Sequence, residues 1–589
     1  MGTYLNPGKQ SFQMSVNSEI FVDKSEMISY LNSLVNTQQR FVSVSRPRRF
    51  GKTMAADMIC AYYDRDADSR ELFEGLKLSV HEFASEAEED GIKSLTKEAA
   101  KDGINDAVKE ISKDGKKEGS RDSWDIYLGG FDVIRLVMTD FMEGCDSVDD
   151  MITYLTDEVT EELMDAYPDV KYGDRISFRT VMSKIYGATK RQFVIVIDEW
   201  DAVFRVWKED KEGQAVYLDF LRDSLKDKAY AALAYMTGIL PIKKYGKHSA
   251  LNMFTEYSMM FPRQLARCSG FTEVEVKDLC GQYGRDFDAV KDWYDGYDVS
   301  DVIPPDPDHE ETRMTGKSPE ATRYSLYSPL SVVEAMITGR IRNYWNKTET
   351  YEALAEYIRM DYDGLKDAVT LLMDGGRLKI DTSSYQNDMT TFNGRDDILS
   401  LLIHLGYLGY DDEMSEVFIP NKEILDEFKT STKSSEWTDA FEAYRMSEKL
   451  LKATWEKDAE KVAELIERAH DKAANKTYND EAALSYAIQM AYYAAQKYYT
   501  LIPEADSGKG FADLICIPSP KYPDKPALVI ELKYDKDASG AIAQIKDRNY
   551  PDRLEHYNGN ILLVGINYDR DALSENPEFK HHTCVIEQV

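Results

Sequence analysis

The stretch Phe41-Val42-Ser43-Val44-Ser45-Arg46-Pro47-Arg48-Arg49-Phe50-Gly51-Lys52-Thr53 decides the reading of this chain. Phe41 to Ser45 is short, apolar and β-branched, which predicts a buried strand. From Thr53 to Tyr63, Met54, Met58, Ile59 and Tyr62 recur at helical spacing. Strand, loop and helix in that order are the setting of a phosphate-binding loop, whose backbone N–H groups and lysine face the β- and γ-phosphates. In this reading Lys52 contacts the phosphates and the Thr53 hydroxyl ligates Mg²⁺. The pattern G-x-x-x-x-G-K-[ST] asks for glycine where Arg46 stands. An arginine satisfies the loop provided its backbone is not left-handed. Arg46, Arg48, Arg49, Phe50 and Gly51 complete the expected nucleotide-binding segment. The arginines either add phosphate contacts or face a nucleic-acid groove.

Far downstream, Phe193 to Ile197 is a fully apolar strand that ends in Asp198-Glu199. Asp198 is expected to hold Mg²⁺ through water, and Glu199 to polarise the attacking water. The plainer alternative is an acid pair that only ends a strand; the lysine loop upstream weighs against it. Asp201 is a candidate outer group. Ala232 to Thr237 reads as the next strand, and Thr237 closes it where a γ-phosphate sensor or a merely buried threonine would sit. Ile134 to Val137 reads as a core strand, Ile20 to Lys24 as a short strand, and Glu26 to Val35 and Tyr217 to Leu225 as helices. Strands alternating with helices predict a three-layer α/β domain.

The far end carries a second pattern. Asp513 lies in the apolar run to Ile515, and Glu531 and Lys533 flank Leu532. Strand alternation points Glu531 and Lys533 to one face. Metal-dependent phosphodiester cleavage needs two acidic ligands on adjacent strands and a group acting on the attacking water. Asp513 and Glu531 are the expected ligands of Mg²⁺ or Mn²⁺. Lys533 orients or deprotonates water, or stabilises the phosphorane. Glu481, heading an apolar helix, is a further metal candidate, and Gln544 in the following helix a supporting residue. Gly508-Lys509-Gly510 permits close backbone approach to a phosphate. Taken alone, Asp…Glu-x-Lys is more simply a solvated ion pair on a hairpin through Pro518 to Pro526. The order helix, strand, strand, helix argues for a site.

A chain of 589 residues implies about two to four domains. The expected division is residues 1–295 for the nucleotide-binding domain, 296–433 for a helical lid or winged-helix-like region, 434–477 for an amphipathic helical connector, and 478–589 for the second site. Charged residues 82–122 and the loop 301–322 read as insertions. The formal charge of -33 opposes diffuse binding to phosphate backbones, so any nucleic acid must meet local basic patches. The six cysteines form no Cys-x-x-Cys pair, and reduced thiols are expected. Met1 to Gln13 is polar and no apolar run spans a bilayer, so the expectation is a cytoplasmic protein with no membrane partner.

With these residues in place, the chain resembles the bacterial fusion of an AAA-ATPase-like domain with a C-terminal PD-(D/E)XK nuclease-superfamily domain. The N-terminal resemblance rests on Phe21-Val22-Asp23-Lys24, the string from Arg46 to Thr53, Ile197-Asp198-Glu199-Trp200-Asp201, Trp293-Tyr294-Asp295-Gly296-Tyr297, Ser328-Pro329-Leu330-Ser331-Val332 and Ile419-Pro420-Asn421-Lys422-Glu423. The C-terminal resemblance rests on Gly508 to Asp513, Glu531-Leu532-Lys533 and Gln544-Ile545. It implies a P-loop domain, a small α/β nuclease-like domain, ATP and Mg²⁺ as cofactors, and arginine at the first loop position as a family trait. It does not supply a substrate.

The expected function is ATP-gated, metal-dependent cleavage of nucleic acid, DNA or RNA, by a chain that homo-oligomerises or acts alone. The alternative is a nucleotide-switched module that binds nucleic acid or protein without cutting. A small-molecule kinase fits the acid pair less well.

Overall fold

A computed structural model of the chain describes residues 2–79, 123–242, 251–301, 322–345, 350–360, 362, 364–433, 437–473, 488, 491–506, 511–520, 522–534, 537–547, 560–569 and 581–589. The expected insertion 82–122, the interior of 301–322, Gly508-Lys509-Gly510 and Glu481 lie outside them. The chain divides into two compact units, residues 1–350 with 380–426, and residues 351–379 with 427–589.

The first unit is built on a parallel sheet. Its strands are β1 (Phe41–Ser45), β2 (Asp132–Val137), β3 (Phe193–Asp198), β4 (Ala231–Gly238) and β5 (Thr255–Tyr257), in the order β2-β3-β4-β1-β5. Val42, Val44, Val194, Val196, Leu233 and Tyr235 pack with Ala56, Ile59, Tyr62 and Tyr63 of helix α1 (Lys52–Tyr63) and with Ile28 and Leu31. By alternation Ile195 and Ile197 face the other way and are equally buried. Both faces of the sheet are therefore covered, which is why β3 reads as an unbroken apolar run. The α/β reading holds, and β4 lies between the strand that feeds the lysine loop and the strand that ends in the acid pair.

One expected strand does not form. Ile20 to Lys24 has no sheet partner. Asp23 accepts the N–H groups of Ser25 at 2.8 Å and Lys77 at 2.6 Å, and Lys24 Nζ donates to Glu275 at 2.7 Å and to the Arg267 carbonyl at 2.9 Å. Side-chain-to-backbone bonds take the place of a ladder. The helix Glu26–Leu34 follows as expected.

The quoted motifs beyond β5 converge on one another. Phe50 is fully buried and meets Tyr297 edge-on at 5.3 Å. The Tyr297 hydroxyl donates to the Gly406 carbonyl at 2.6 Å. Tyr297–Asp301 and Thr322–Tyr327 pair as antiparallel strands, so the insertion between them joins two paired strand ends. Gly296 stands at φ 118°, and a Cβ there would lie 2.0 Å from the Pro420 carbonyl oxygen. Gly296→Ala is therefore expected to lose about 3 kcal/mol or more through strain and forced displacement. Differential scanning calorimetry checks this; an unchanged midpoint for the first unit contradicts it.

The second unit holds a mixed sheet of β6 (Tyr499–Asp506), β7 (Phe511–Pro518), β8 (Ala527–Tyr534), β9 (Ile561–Tyr568) and β10 (His582–Gln588), in that order. β8 and β9 are parallel, joined through helix α4 (Ala538–Asp547); the other pairs are antiparallel. The segment expected as one amphipathic helix from Trp437 is two, α2 (Thr438–Trp455) and α3 (Ala459–Ala473). Lys457 turns left-handed at φ 59° between them. The Asp458 carboxylate then accepts the Lys461 N–H at 3.0 Å and starts the second helix, an N-cap the periodicity masks. Leu450, Leu451, Leu465 and Ile466 of these helices share a core with Leu514, Leu528, Ile530, Leu532 and Val564. Ile542 and Ile545 of α4 cover the other face with Ile515, Val529 and Leu563. All six cysteines are free thiols. Among the described residues no helix is long and apolar enough to cross a membrane.

Candidate functional site

The N-terminal site forms where the carboxyl ends of β1, β4 and β3 stand side by side, the edge at which parallel α/β sheets hold ligands. The loop after β1 turns through Arg49 at φ 70° and Gly51 at φ 82°, and α1 starts at Lys52. Arg46 is not among the left-handed residues, so the missing first glycine is no obstacle.

The three loop arginines part company. Arg46 is fully buried. Its guanidinium donates to the carbonyls of Ser45 at 2.8 Å, Tyr257 at 2.7 Å and Leu265 at 3.2 Å, and to the Ser269 hydroxyl at 2.6 Å. Burial lowers its pKa to about 10. This corrects the expectation that its side chain meets phosphate: it is a core staple beneath the loop. Arg49 donates to the Tyr344 carbonyl at 3.1 Å. The next N–H groups, Tyr344 and Trp345, donate to the buried Glu423 carboxylate at 2.7 and 3.0 Å, and Ser331 to its other oxygen at 2.8 Å. Arg48 is half-buried beside Arg49. The Phe50 ring is turned away into the core against Tyr297 and anchors the loop, so what Phe50 can offer a phosphate is its backbone N–H.

Lys52 and Thr53 lie at the head of α1. The Lys52 ammonium bends back onto the carbonyls of Arg46 at 3.0 Å and Pro47 at 2.7 Å. Burial lowers its pKa to about 8, against the opposing pull of Asp201 and Asp198. Thr53, at the second position of the helix, lies near enough to Asp198 for its hydroxyl to favour the ionised carboxylate. The two distant motifs are thus brought together at one point. Burial raises the Asp198 pKa, while Thr53, Lys52 and the Glu199 N–H, at 2.9 Å, hold it back. Glu199 sits left-handed at φ 52° with its side chain 40% exposed. Thr237 is fully buried at the end of β4, level with Val44 of β1, and its carbonyl accepts the Trp200 N–H at 3.1 Å.

Sequence reading missed two charged contributors here. Arg135 of β2 ion-pairs Asp57 of α1 at 2.5 Å, and burial raises Asp57 to about 6. Arg205, in the short helix 202–206 that follows the acid pair, contacts Glu199 and Asp201, each at 3.2 Å. Basic residues that stand apart from a motif carry no local signal, and only topology brings Arg135 in.

At the C-terminal site the Asp513 carboxylate accepts the Leu532 N–H at 2.8 Å, which ties it across β7 and β8 between Glu531 and Lys533. Glu531 is buried, and Lys533 Nζ lies 3.2 Å from its carboxylate. Gln544 of α4 reaches the same spot, donating to Glu531 and accepting from Lys533. Asn567 of β9, in register with Lys533, is a buried polar neighbour on the same face that the sequence reading did not single out. The alternation of β8 thus places Glu531 and Lys533 toward α4 and Leu532 into the opposite core. Among the described residues no group of three His, Cys, Asp or Glu side chains converges as a metal cage. Two carboxylates on adjacent strands, with the Gln544 amide beside them on α4, supply oxygen ligands of the kind a hard divalent cation takes with water completing its shell, and Lys533 stands by as a charge rather than a ligand.

Comparison with known proteins fits this geometry. The family described as "Predicted AAA-ATPase" matches residues 7–117, and the PD-(D/E)XK nuclease superfamily matches residues 481–576. No curated protein matches the chain. Among solved structures, the Aeropyrum pernix ORC2 protein in its ADPNP-ADP complexes aligns over 72% of this chain and 97% of its own, at 9% identity and a TM-score of 0.25. That score is too low to bear on fold or function. The chain carries an AAA-ATPase-like domain toward its N-terminus and a PD-(D/E)XK nuclease-superfamily domain toward its C-terminus.

Proposed function

We propose that the chain binds and hydrolyses ATP, and that its nucleotide state controls metal-dependent cleavage of nucleic acid by the C-terminal domain. The observation that carries the reading is the convergence of Lys52 and Thr53, at the head of α1, on Asp198 at the end of β3. A loop hydroxyl and a strand-end carboxylate brought together in this way would hold Mg²⁺ for a bound nucleotide. Lys52 leaves the loop carbonyls for the phosphates, Glu199 polarises water, Thr237 senses the γ-phosphate, and Arg48 and Arg49 border the loop. Bound Mg²⁺ neutralises phosphate charge.

In the second domain Asp513 and Glu531 hold Mg²⁺ or Mn²⁺, with Glu481 as a further ligand. Lys533 acts on the attacking water or the phosphorane, and Gln544 fixes Lys533 and Glu531. The proposed domains are residues 1–295, 296–433, 434–477 and 478–589, with nucleic acid as partner, self-assembly as a further expectation, and the cytoplasm as location. The test is cleavage of DNA and RNA, single- and double-stranded, with Mg²⁺ or Mn²⁺ and with or without ATP. No cleavage under any condition, with ATP still bound, favours the nucleotide-switched binding module instead.

Lys52 also sets a pH dependence. Its pKa is about 8 without nucleotide. Phosphate oxygens favour the ammonium, so the bound form keeps its proton to higher pH and binding takes up a proton. ATP affinity is expected to be flat below about pH 8 and to fall above it, by at most about tenfold per pH unit. Titration calorimetry across that range in buffers of different ionisation enthalpy reads both the affinity and the proton uptake. An affinity that rises with pH contradicts the assignment.

A further inference from the structure

We propose that Arg205 is the positioning residue for Glu199, fixing the carboxylate that polarises the attacking water; the assignment rests on the ATPase reading above. Glu199 is poorly restrained by its own backbone. It follows β3 in a left-handed conformation, φ 52°, that costs a non-glycine residue free energy and persists only where neighbours impose it. Its side chain is 40% exposed, whereas that of Arg205 is 14% exposed and that of Asp201 is 0% exposed. The anchoring therefore runs from the interior outward.

Asp201 is the fixed end. Its Oδ2 accepts the N–H groups of Ile239 at 3.1 Å and Leu240 at 3.0 Å, just past the end of β4. There is no slack around it: a Cβ on Gly238 would lie 2.6 Å from Asp201 Oδ1 and 2.7 Å from the Trp200 ring. Trp200 is itself held, its N–H by Thr237 and its carbonyl by the Tyr217 hydroxyl at 2.9 Å. Arg205 Nε lies 3.2 Å from Asp201 Oδ2, and Nη2 donates to Glu199 Oε2 at 3.2 Å. One planar guanidinium ion-pairs with both carboxylates and donates to Glu199, a placement that a lysine ammonium on a flexible stem does not hold. The result is a relay from the end of β4, the strand that carries Thr237, through Asp201 and Arg205 to Glu199. The same guanidinium is close enough to Lys52 for its charge to oppose that of the ammonium, so it belongs to the phosphate end of the site.

The test uses the full chain and its R205Q and R205K variants, with steady-state ATP hydrolysis read beside equilibrium binding of a fluorescent ATP analogue. R205Q is expected to lower kcat about 10- to 100-fold, the cost of a misplaced reacting group, with analogue affinity within about threefold of wild type. R205K, with charge but no fork, is expected to fall between. An R205Q chain that hydrolyses at or above the wild-type rate, or that loses affinity with kcat intact, overturns the assignment. Should R205Q fail to fold by circular dichroism, R205K decides: reduced kcat with affinity kept supports the relay, and wild-type kcat refutes it. A wild-type chain that binds the analogue and never turns ATP over removes the hydrolysis reading and this assignment together. Wild-type turnover matched by R205Q removes the assignment alone.

Discussion

Lys533→Ala is expected to reduce nucleic-acid cleavage by about 100- to 1000-fold, the usual cost of removing one preorganised charge from a phosphoryl-transfer site. Lys533 is almost enclosed, lies 3.2 Å from Glu531, and is gripped by Gln544. It is part of neither hydrophobic core, because strand alternation sets it with Glu531 on the α4 face, opposite Leu532. The fold should therefore survive. Metal binding separates the roles. Calorimetry with Mn²⁺ should still show binding in Lys533→Ala and should lose it in Asp513→Asn, since Asp513 and Glu531 are the ligands and Lys533 is not. Undiminished cleavage by Lys533→Ala would reduce the cluster to an ion pair that merely joins β8 to α4.

Lys52→Ala is expected to weaken ATP binding by about 100-fold, near 3 kcal/mol, the scale of a charge-assisted contact to phosphate in a partly desolvated site. The unliganded lysine is satisfied by the carbonyls of Arg46 and Pro47. Binding exchanges those neutral acceptors for anionic oxygens, and the difference is what alanine removes. The loop itself should persist without Lys52, because Arg46 holds it from below through four hydrogen bonds and Phe50 from the side through Tyr297. Fluorescent-analogue titration beside circular dichroism checks both halves of the claim. Wild-type affinity in the variant would remove the loop from the nucleotide site.

Much of this was legible in the sequence because it is local or periodic. The strand, loop and helix around Lys52, the apolar strand into Asp198, and the alternation around Leu532 are all set by residues close in the chain. What was not legible depends on long reach. Arg46 reads as a phosphate contact by position in the motif, but its side chain finds acceptors 211, 219 and 223 residues away. Phe50 is claimed by Tyr297 in the same manner. Ile20 to Lys24 has strand composition, yet Asp23 and Lys24 satisfy backbone and ion-pair partners that no window of sequence shows. Arg205 was only six residues from Glu199, at a spacing that matches no helical rule because the acid pair ends a strand before the helix starts. The nearness of Thr53 to Asp198 was inferred from motif order alone and follows from β4 lying between β1, which leads into the loop, and β3.

The proposed coupling within one chain ties the rate at the C-terminal site to the nucleotide held at Lys52. The most direct measurement is the initial rate of cleavage of a labelled nucleic acid in Mg²⁺, with and without ATP, for the wild-type chain and Lys52→Ala side by side. The expected result is a change of about tenfold on adding ATP to the wild type, within the usual range of coupling between sites, and no response in Lys52→Ala. A wild-type rate that is measurable but indifferent to ATP, or an equal ATP response in Lys52→Ala, would contradict it.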